Sequence, residues 1–210
     1  MGVIWCLHGF LGRGEDWDFL RDAGFDIRAP SLFGGDALDS VRPSPADALL
    51  GYSMGARLAL QVMQEHAVAR AVFVSTGIAP PEPGRMELDE TWARRFESDE
   101  PWESLIDSWN RQAVFGGRVN PLQRNEGDYD RKKLAAALRD WSSAVLHTNV
   151  DAITVPTLWI AGQLDRKYAD AALRASERLS KAELWICPDA GHRVPWQQPE
   201  RFIARLREFL

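Results

Sequence analysis

Cysteine and lysine are scarce, and long apolar runs are missing. Only Cys6 and Cys187 are present, each inside a short apolar run. This excludes a disulfide framework or a cysteine-built metal site, and it favours buried thiols in strands and a reducing compartment. Lysine is confined to Lys132, Lys133, Lys167 and Lys181. Arginine therefore carries most of the positive charge, and any single arginine is a weak pointer to anion recognition. The net charge of −5, from 25 basic and 30 acidic residues, is not gathered into blocks of either sign. Nucleic acid is excluded as a partner, because its backbone needs a positive footprint. No apolar run approaches the length of a membrane span, and MGVIWCLHGFLG reaches glycine without a basic leader. Both features point to a cytoplasmic protein with no membrane partner.

With 210 residues and 45% hydrophobic side chains, the chain can fill one domain with a substantial core. Short apolar runs read as strands: VIWCL (3–7), FDIRA (25–29), ALL (48–50), AVFVS (71–75), TLWIA (157–161) and ELWIC (183–187). Between them, apolar residues at helical spacing predict helices from Met54 to about Glu65, near 168–180, and from about Glu200 to Leu210. Fully apolar strands alternating with helices imply an α/β fold, a mostly parallel sheet covered on both faces. Residues 78–153 break the rhythm. They hold no sheet pattern but several amphipathic stretches: ETWARRFES, WESLIDSWNRQAVF and KKLAAALRDWSSAVL. IAPPEPG marks the entrance and Val155-Pro156 the return, so 78–153 reads as a helical lid inserted within a single domain, 1–210. Trp92, Trp102, Trp109 and Trp141 read as the lid's own core, any of them also able to line a pocket.

The segment LLGYSMGARLAL places Ser53 between Gly51 and Gly55 where a strand gives way to a helix. Glycines there allow a sharp reversal with the hydroxyl exposed at the bend. Two later strand ends offer partners, Asp165 in GQLD and His192 in DAGH. Strand carboxyl ends are where sites assemble in parallel sheets, so the three can converge, in the chain order Ser, Asp, His of a hydrolase triad. The HGFLG loop after the first strand adds the N–H of Phe10, which with the N–H of Met54 would form an oxyanion hole. His8 reads as a loop organiser, His66 and His147 as surface or structural groups, and Asp189 as a turn residue.

On HGFLG, GYSMG, GQLD and GH the chain resembles the α/β-hydrolase superfamily over essentially its whole length. HGFLGRGEDW, GYSMGAR, WNRQAVF and GQLDRKY are further similar to the 2-succinyl-6-hydroxy-2,4-cyclohexadiene-1-carboxylate synthase family of menaquinone biosynthesis. That resemblance implies a cofactor-free, metal-free lyase that removes pyruvate from a cyclohexene polycarboxylate, with the triad serine as base. It implies substrate contacts from Tyr52 and Arg57 beside the serine and from Trp109 in the lid. Arg85 and Arg124 match two further lid arginines, with Arg94, Arg95, Arg111 and Arg118 as close rivals. The chain departs from the family pattern at APSLFGG and at GHRVPWQQP.

On spacing alone, Arg57 suits the solvent side of its helix as well as the hydroxyl's face; the resemblance selects the latter. A carboxylesterase or thioesterase working through an acyl-serine would use the same triad, and a binding protein with a relict triad would need Asp165 or His192 turned away from Ser53. The expected partner is a small anionic substrate, and the expected state is a monomer or small homo-oligomer.

Overall fold

The computed structural model describes residues 2–33, 38–78, 82–146 and 150–210. Its elements follow in the order β1 (Ile4–Leu7), α1 (Asp18–Asp22), β2 (Ile27–Arg28), β3 (Ala48–Tyr52), α2 (Met54–Glu65), β4 (Arg70–Val74), α3 (Arg85–Glu97), α4 (Trp102–Asn110), α5 (Arg131–Asp140), β5 (Thr157–Gly162), α6 (Arg166–Arg178), β6 (Ala182–Cys187), α7 (Val194–Gln197) and α8 (Pro199–Phe209). The six strands form one parallel sheet in the order β2-β1-β3-β4-β5-β6. The succession therefore runs outward from β1 to β2 and then doubles back across β3 to β6. Such a reversal opens a crevice at the carboxyl ends of the strands.

Both faces of the sheet are covered, which explains why its strands read as unbroken apolar runs. Trp5, Leu7, Leu49, Phe73 and Trp159 pack in one core with α2, α6 and the helices between β4 and β5. The alternate residues Ile4, Cys6, Leu50, Val72 and Ile160 pack in the other with Trp17, Leu20, Phe202 and Leu206. Successive side chains in a strand point to opposite faces, so a sheet buried twice needs apolar groups at both. Cys6 and Cys187 are free, buried thiols in β1 and β6. Burial pushes both thiols up from their ordinary range, Cys187 to about 11. Among the described residues no helix is long and apolar enough to cross a membrane.

No strand lies between β4 and β5 among the described residues. Two helices of this insertion are shorter than the sequence pattern suggests, whereas α3 begins before ETWARRFES, at Arg85. WESLIDSWNRQAVF stays helical only to Asn110; Gln112 is extended, Ala113–Phe115 forms a 3-10 turn, and Gly116 then takes φ +58°. The turn carries Phe115 back toward the sheet. KKLAAALRDWSSAVL stops at Asp140, because the Ser142 hydroxyl donates to Asp89 and accepts from the Ala144 N–H, replacing helical bonds with local ones. FDIRA pairs with β1 only through Ile27 and Arg28, a short edge strand.

Helix α2 lies unusually close to β1. A Cβ added at Gly55 would sit 2.2 Å from the Leu7 carbonyl oxygen and 2.4 Å from that of His8, both main-chain atoms of the strand end and the loop after it. Neither can move without moving that loop. Gly55→Ala is expected to destabilise the protein by about 2 kcal/mol or more, the cost of overpacking, and to lower Tm by roughly 5 °C. Thermal and urea unfolding check this, and a variant as stable as the parent would contradict the close approach.

Candidate active site

The elbow is built by strain. Ser53 follows β3 with φ +53° and ψ −112°, a left-handed conformation that a residue with a side chain adopts only under constraint. Its N–H donates to the Val74 carbonyl at 2.8 Å, and its own carbonyl accepts from Ala56 and Arg57 as α2 begins. A Cβ at Gly51 would meet the Ala56 Cα at 2.4 Å, so the strand can fold back onto its helix only with glycine there.

Ser53 Oγ lies 3.0 Å from His192 Nε2, and His192 Nδ1 lies 2.6 Å from Asp165 Oδ2. The three residues come from the ends of β3, β6 and β5. Asp165 and His192 are buried, and the imidazole is walled by Tyr168, Tyr52 and Phe115, with ring centroids 4.9, 5.5 and 5.8 Å away. The fully buried Ser75 hydroxyl donates to the His192 carbonyl at 2.7 Å and fixes its backbone. With the Nδ1–H on the carboxylate, Nε2 is left to take a proton from the serine. His66 closes the far end of α2, Asp189 is an exposed turn residue at φ +60°, and His147 lies outside the described residues.

The loop His8–Gly12 passes over the start of α2. Among the described residues the N–H groups of Phe10 and Met54 have no acceptor, and both residues border the cavity at Ser53. The Phe10 ring is locked by Trp109, Phe96 and Phe33 at centroid distances of 4.6, 5.3 and 5.6 Å. His8 is fully buried and ties the loop down. Its Nε2 accepts from the Leu32 N–H at 2.9 Å, so Nδ1 carries the proton and donates to the Gly9 carbonyl at 2.9 Å.

Ser53 borders two spaces. A cavity of about 900 Å³ lies between the sheet's carboxyl edge and the insertion, lined by Arg57, Arg85, Trp92, Trp109 and Trp141 among others. Trp102 instead packs inside the insertion against Tyr129 and Phe96. A recess of about 60 Å³ adjoins this cavity, sharing Phe10, Ser53, Trp109 and Phe115 and bordered also by Tyr52, Arg124 and Arg193.

The arginines differ in what holds them. Arg85 pairs with the buried Asp89, and Arg124 donates two hydrogen bonds to Asp16 at 2.9 and 2.6 Å. Arg94, Arg95 and Arg111 pair with Glu90, Glu100 and Asp107, while Arg118, exposed at the cavity's edge, has no ion pair among the described residues. Arg57 is distinct. Burial is the largest influence on its pKa and lowers it; Nη2 donates to the Trp141 carbonyl at 3.3 Å, and Nε is buried without a partner. Arg193 was not among the candidates that the motifs single out. It directly follows His192, is 5% exposed, and belongs to the GHRVPWQQP segment, whose departure from the family pattern was the only signal pointing to it. Among the described residues no cluster of three or more His, Cys, Asp or Glu could hold a metal ion.

Burial lowers the His8 pKa from its ordinary value to about 4. Between pH 6.5 and 4 the unfolded chain takes up a proton at this site that the folded one refuses, so stability falls as the pH drops through that window. The expected loss between pH 7 and pH 4 is about 3 kcal/mol from this residue. Urea unfolding across that range checks it, with His8→Gln expected to show a flatter acid limb.

The model of the alpha/beta hydrolase family matches residues 4–205. A 2-succinyl-6-hydroxy-2,4-cyclohexadiene-1-carboxylate synthase from Escherichia coli is 30% identical, the match spanning 100% of the chain and 94% of that protein. The synthase of the same name from Pectobacterium atrosepticum is 28% identical over 98% of the chain and 92% of its own length. In three dimensions the fold superposes on MenH from S. aureus with a TM-score of 0.86 at 21% identity, covering 99% of this chain and 92% of that one. A thermophilic esterase from Thermogutta terrifontis superposes with a TM-score of 0.77 at 20% identity, over 98% and 88% of the two chains.

Proposed function

The chain belongs to the alpha/beta hydrolase family and, within it, to the 2-succinyl-6-hydroxy-2,4-cyclohexadiene-1-carboxylate synthases; from that premise we propose that it is a lyase that eliminates pyruvate from a succinyl-cyclohexene polycarboxylate. The observation that carries the assignment to an anionic substrate is the half-buried Arg57, whose Nε is enclosed without a hydrogen-bond partner and which has no ion pair among the described residues, in the cavity that Ser53 borders. An ester hydrolase acting on neutral substrates has no use for a desolvated cation beside its serine.

His192 Nε2 takes the Ser53 proton, and the serine oxygen abstracts the acidic carbon-bound proton of the ring. Electrons shift through the ring, the carbon–oxygen bond to the three-carbon unit breaks, and enolpyruvate leaves with the bonding pair. It then takes up a proton and becomes pyruvate. Negative charge that develops during the shift is met by the N–H groups of Phe10 and Met54, and Asp165 steadies the imidazolium. Arg57, planar and always charged, holds a substrate carboxylate through directed hydrogen bonds. Helices α3 to α5 act as the lid of a single domain and exclude water from the cavity; Trp109 and Trp141 supply apolar wall against the ring. Arg85, held by Asp89, borders the bound substrate rather than neutralises it, and Arg124, held by Asp16, borders the adjoining recess. No cofactor enters these steps.

If serine is a base, turnover proceeds without an acyl-enzyme. Rapid quenching with intact mass measurement is expected to find unmodified Ser53 throughout, and Ser53→Ala is expected to lose nearly all turnover while keeping the fold. A competent acyl adduct would instead assign ester hydrolysis. Arg57→Lys is expected to lower kcat/KM for the polycarboxylate about 10-fold or more, equivalent to about 1.4 kcal/mol of transition-state binding. Steady-state kinetics against a small neutral ester provide the control. Equal losses on both substrates would point to a damaged elbow instead of a lost carboxylate contact.

A further inference from the structure

The elimination leaves Arg193 unused. This side chain is 5% exposed, its Nη2 donates to Asn110 Oδ1 at 2.5 Å, and its guanidinium lies 3.7 Å over the Phe115 ring. Nη1 is buried without a hydrogen-bond partner. No carboxylate pairs with the group among the described residues; apart from burial, Tyr52 and Arg124 are the groups that act on it. Buried polar groups are normally satisfied and buried charges normally paired, so a buried cation with an idle donor marks a place where an anion is missing.

Arg193 borders the small recess, together with Tyr52 and Ser53. On the same wall Arg124 is neutralised by Asp16, so the uncompensated charge there is that of Arg193. The Tyr52 hydroxyl has no hydrogen-bond partner among the described residues, and burial keeps it protonated as a donor. Size narrows the ligand. One water needs about 15 Å³ of such space, so about 60 Å³ holds roughly four water-sized groups. That suits a carboxylate of a few heavy atoms. The ring-bearing polycarboxylate needs the adjoining cavity of about 900 Å³, which Ser53 also borders.

Resting on the elimination described above, we propose that this recess is a separate seat for a small 2-oxo monocarboxylate, the pyruvate released at Ser53, with Arg193 as its cationic partner and Tyr52 as a second donor. Arg57 holds the part of the substrate that stays cyclic, and Arg193 holds the part that leaves. The two carboxylates are thereby held in two adjoining spaces that meet at Ser53, Arg57 lining the larger and Arg193 the smaller. The reaction's steps are unchanged; the recess adds only where the three-carbon fragment goes.

The test is binding of pyruvate and of the cyclic product to the purified protein, by ligand-observed NMR and as product inhibitors. Arg193→Gln is expected to weaken pyruvate at least 10-fold while changing the cyclic product less than 3-fold, and Arg57→Lys is expected to do the reverse. Arg193→Lys keeps the charge without the fork, and is expected to weaken pyruvate several-fold with the same selectivity; it takes the place of Arg193→Gln if that variant does not fold. A residue that only braced α7 would lower Tm and leave the ratio of the two affinities where it was. Unchanged pyruvate affinity in a folded Arg193 variant, equal loss for both products, or no pyruvate binding by the parent would overturn the seat while leaving the elimination intact. Failure to release pyruvate from the polycarboxylate would remove the elimination, and the binding comparison would still decide whether the recess takes a small carboxylate.

Discussion

Everything at the site hangs on one strained residue. Ser53 occupies a left-handed conformation that costs about 1–3 kcal/mol, and it persists only because its surroundings leave no alternative. Gly51 lets the strand fold back onto α2, and Gly55 lets α2 press against the end of β1. The Ser53 N–H is held by Val74 of the neighbouring strand. The same close packing that forces the serine outward brings the Met54 N–H and the Phe10 loop to one side of it. The strain and the oxyanion geometry are two consequences of a single tight strand-to-helix crossing.

Charge is distributed around that crossing by pairing. The chain has many arginines, and most are neutralised by a carboxylate at hydrogen-bond distance: Arg124 by Asp16, Arg85 by Asp89, Arg95 by Glu100. Such pairs fix geometry and present little net charge to a ligand. What distinguishes Arg57 and Arg193 is an enclosed guanidinium nitrogen without a hydrogen-bond partner, and no ion pair among the described residues, which makes each an expensive cation until an anion arrives. The desolvation already carried by the folded protein is thus available to strengthen carboxylate binding, because part of each guanidinium's water shell is already gone. Arg124 serves a different end. Through Asp16, whose carbonyl accepts from the Trp196 indole N–H at 2.9 Å, it clasps the insertion to the body of the domain.

The sheet and the triad were legible because their signals are local. Six apolar runs became six strands, and a serine flanked by glycines at a strand end marks a tight strand-to-helix turn. The order Ser, Asp, His needed only the rule that parallel strands present their carboxyl ends together. The insertion was legible as helical but not in its boundaries. The amphipathic pattern of WESLIDSWNRQAVF continues past Asn110, yet the backbone leaves the helix so that Phe115 can reach His192 and Arg193. Periodicity reports which face is apolar, and a 3-10 turn can use the same residues. Arg193 was illegible for a related reason. Nothing in GHRVPWQQP distinguishes a buried arginine from an exposed one; its burial comes from Asn110 and Phe115, some eighty residues earlier in the chain.

That distant contact ties the insertion to the reaction. The Phe10 and Trp109 rings pack at a tilt across the seam between the loop after β1 and α4, and the Tyr129 hydroxyl donates to the Leu11 carbonyl at 2.9 Å. Asn110 and Phe115, just beyond, grip Arg193, the residue next to His192. A shift of α4 therefore cannot occur without disturbing both the loop that carries the Phe10 N–H and the turn that carries His192. Packed interfaces of this kind respond in discrete steps and not by gradual deformation. The insertion is consequently tied to the geometry around Ser53 and His192 as well as bordering the cavity: displacing it would open the cavity and loosen those contacts in one motion.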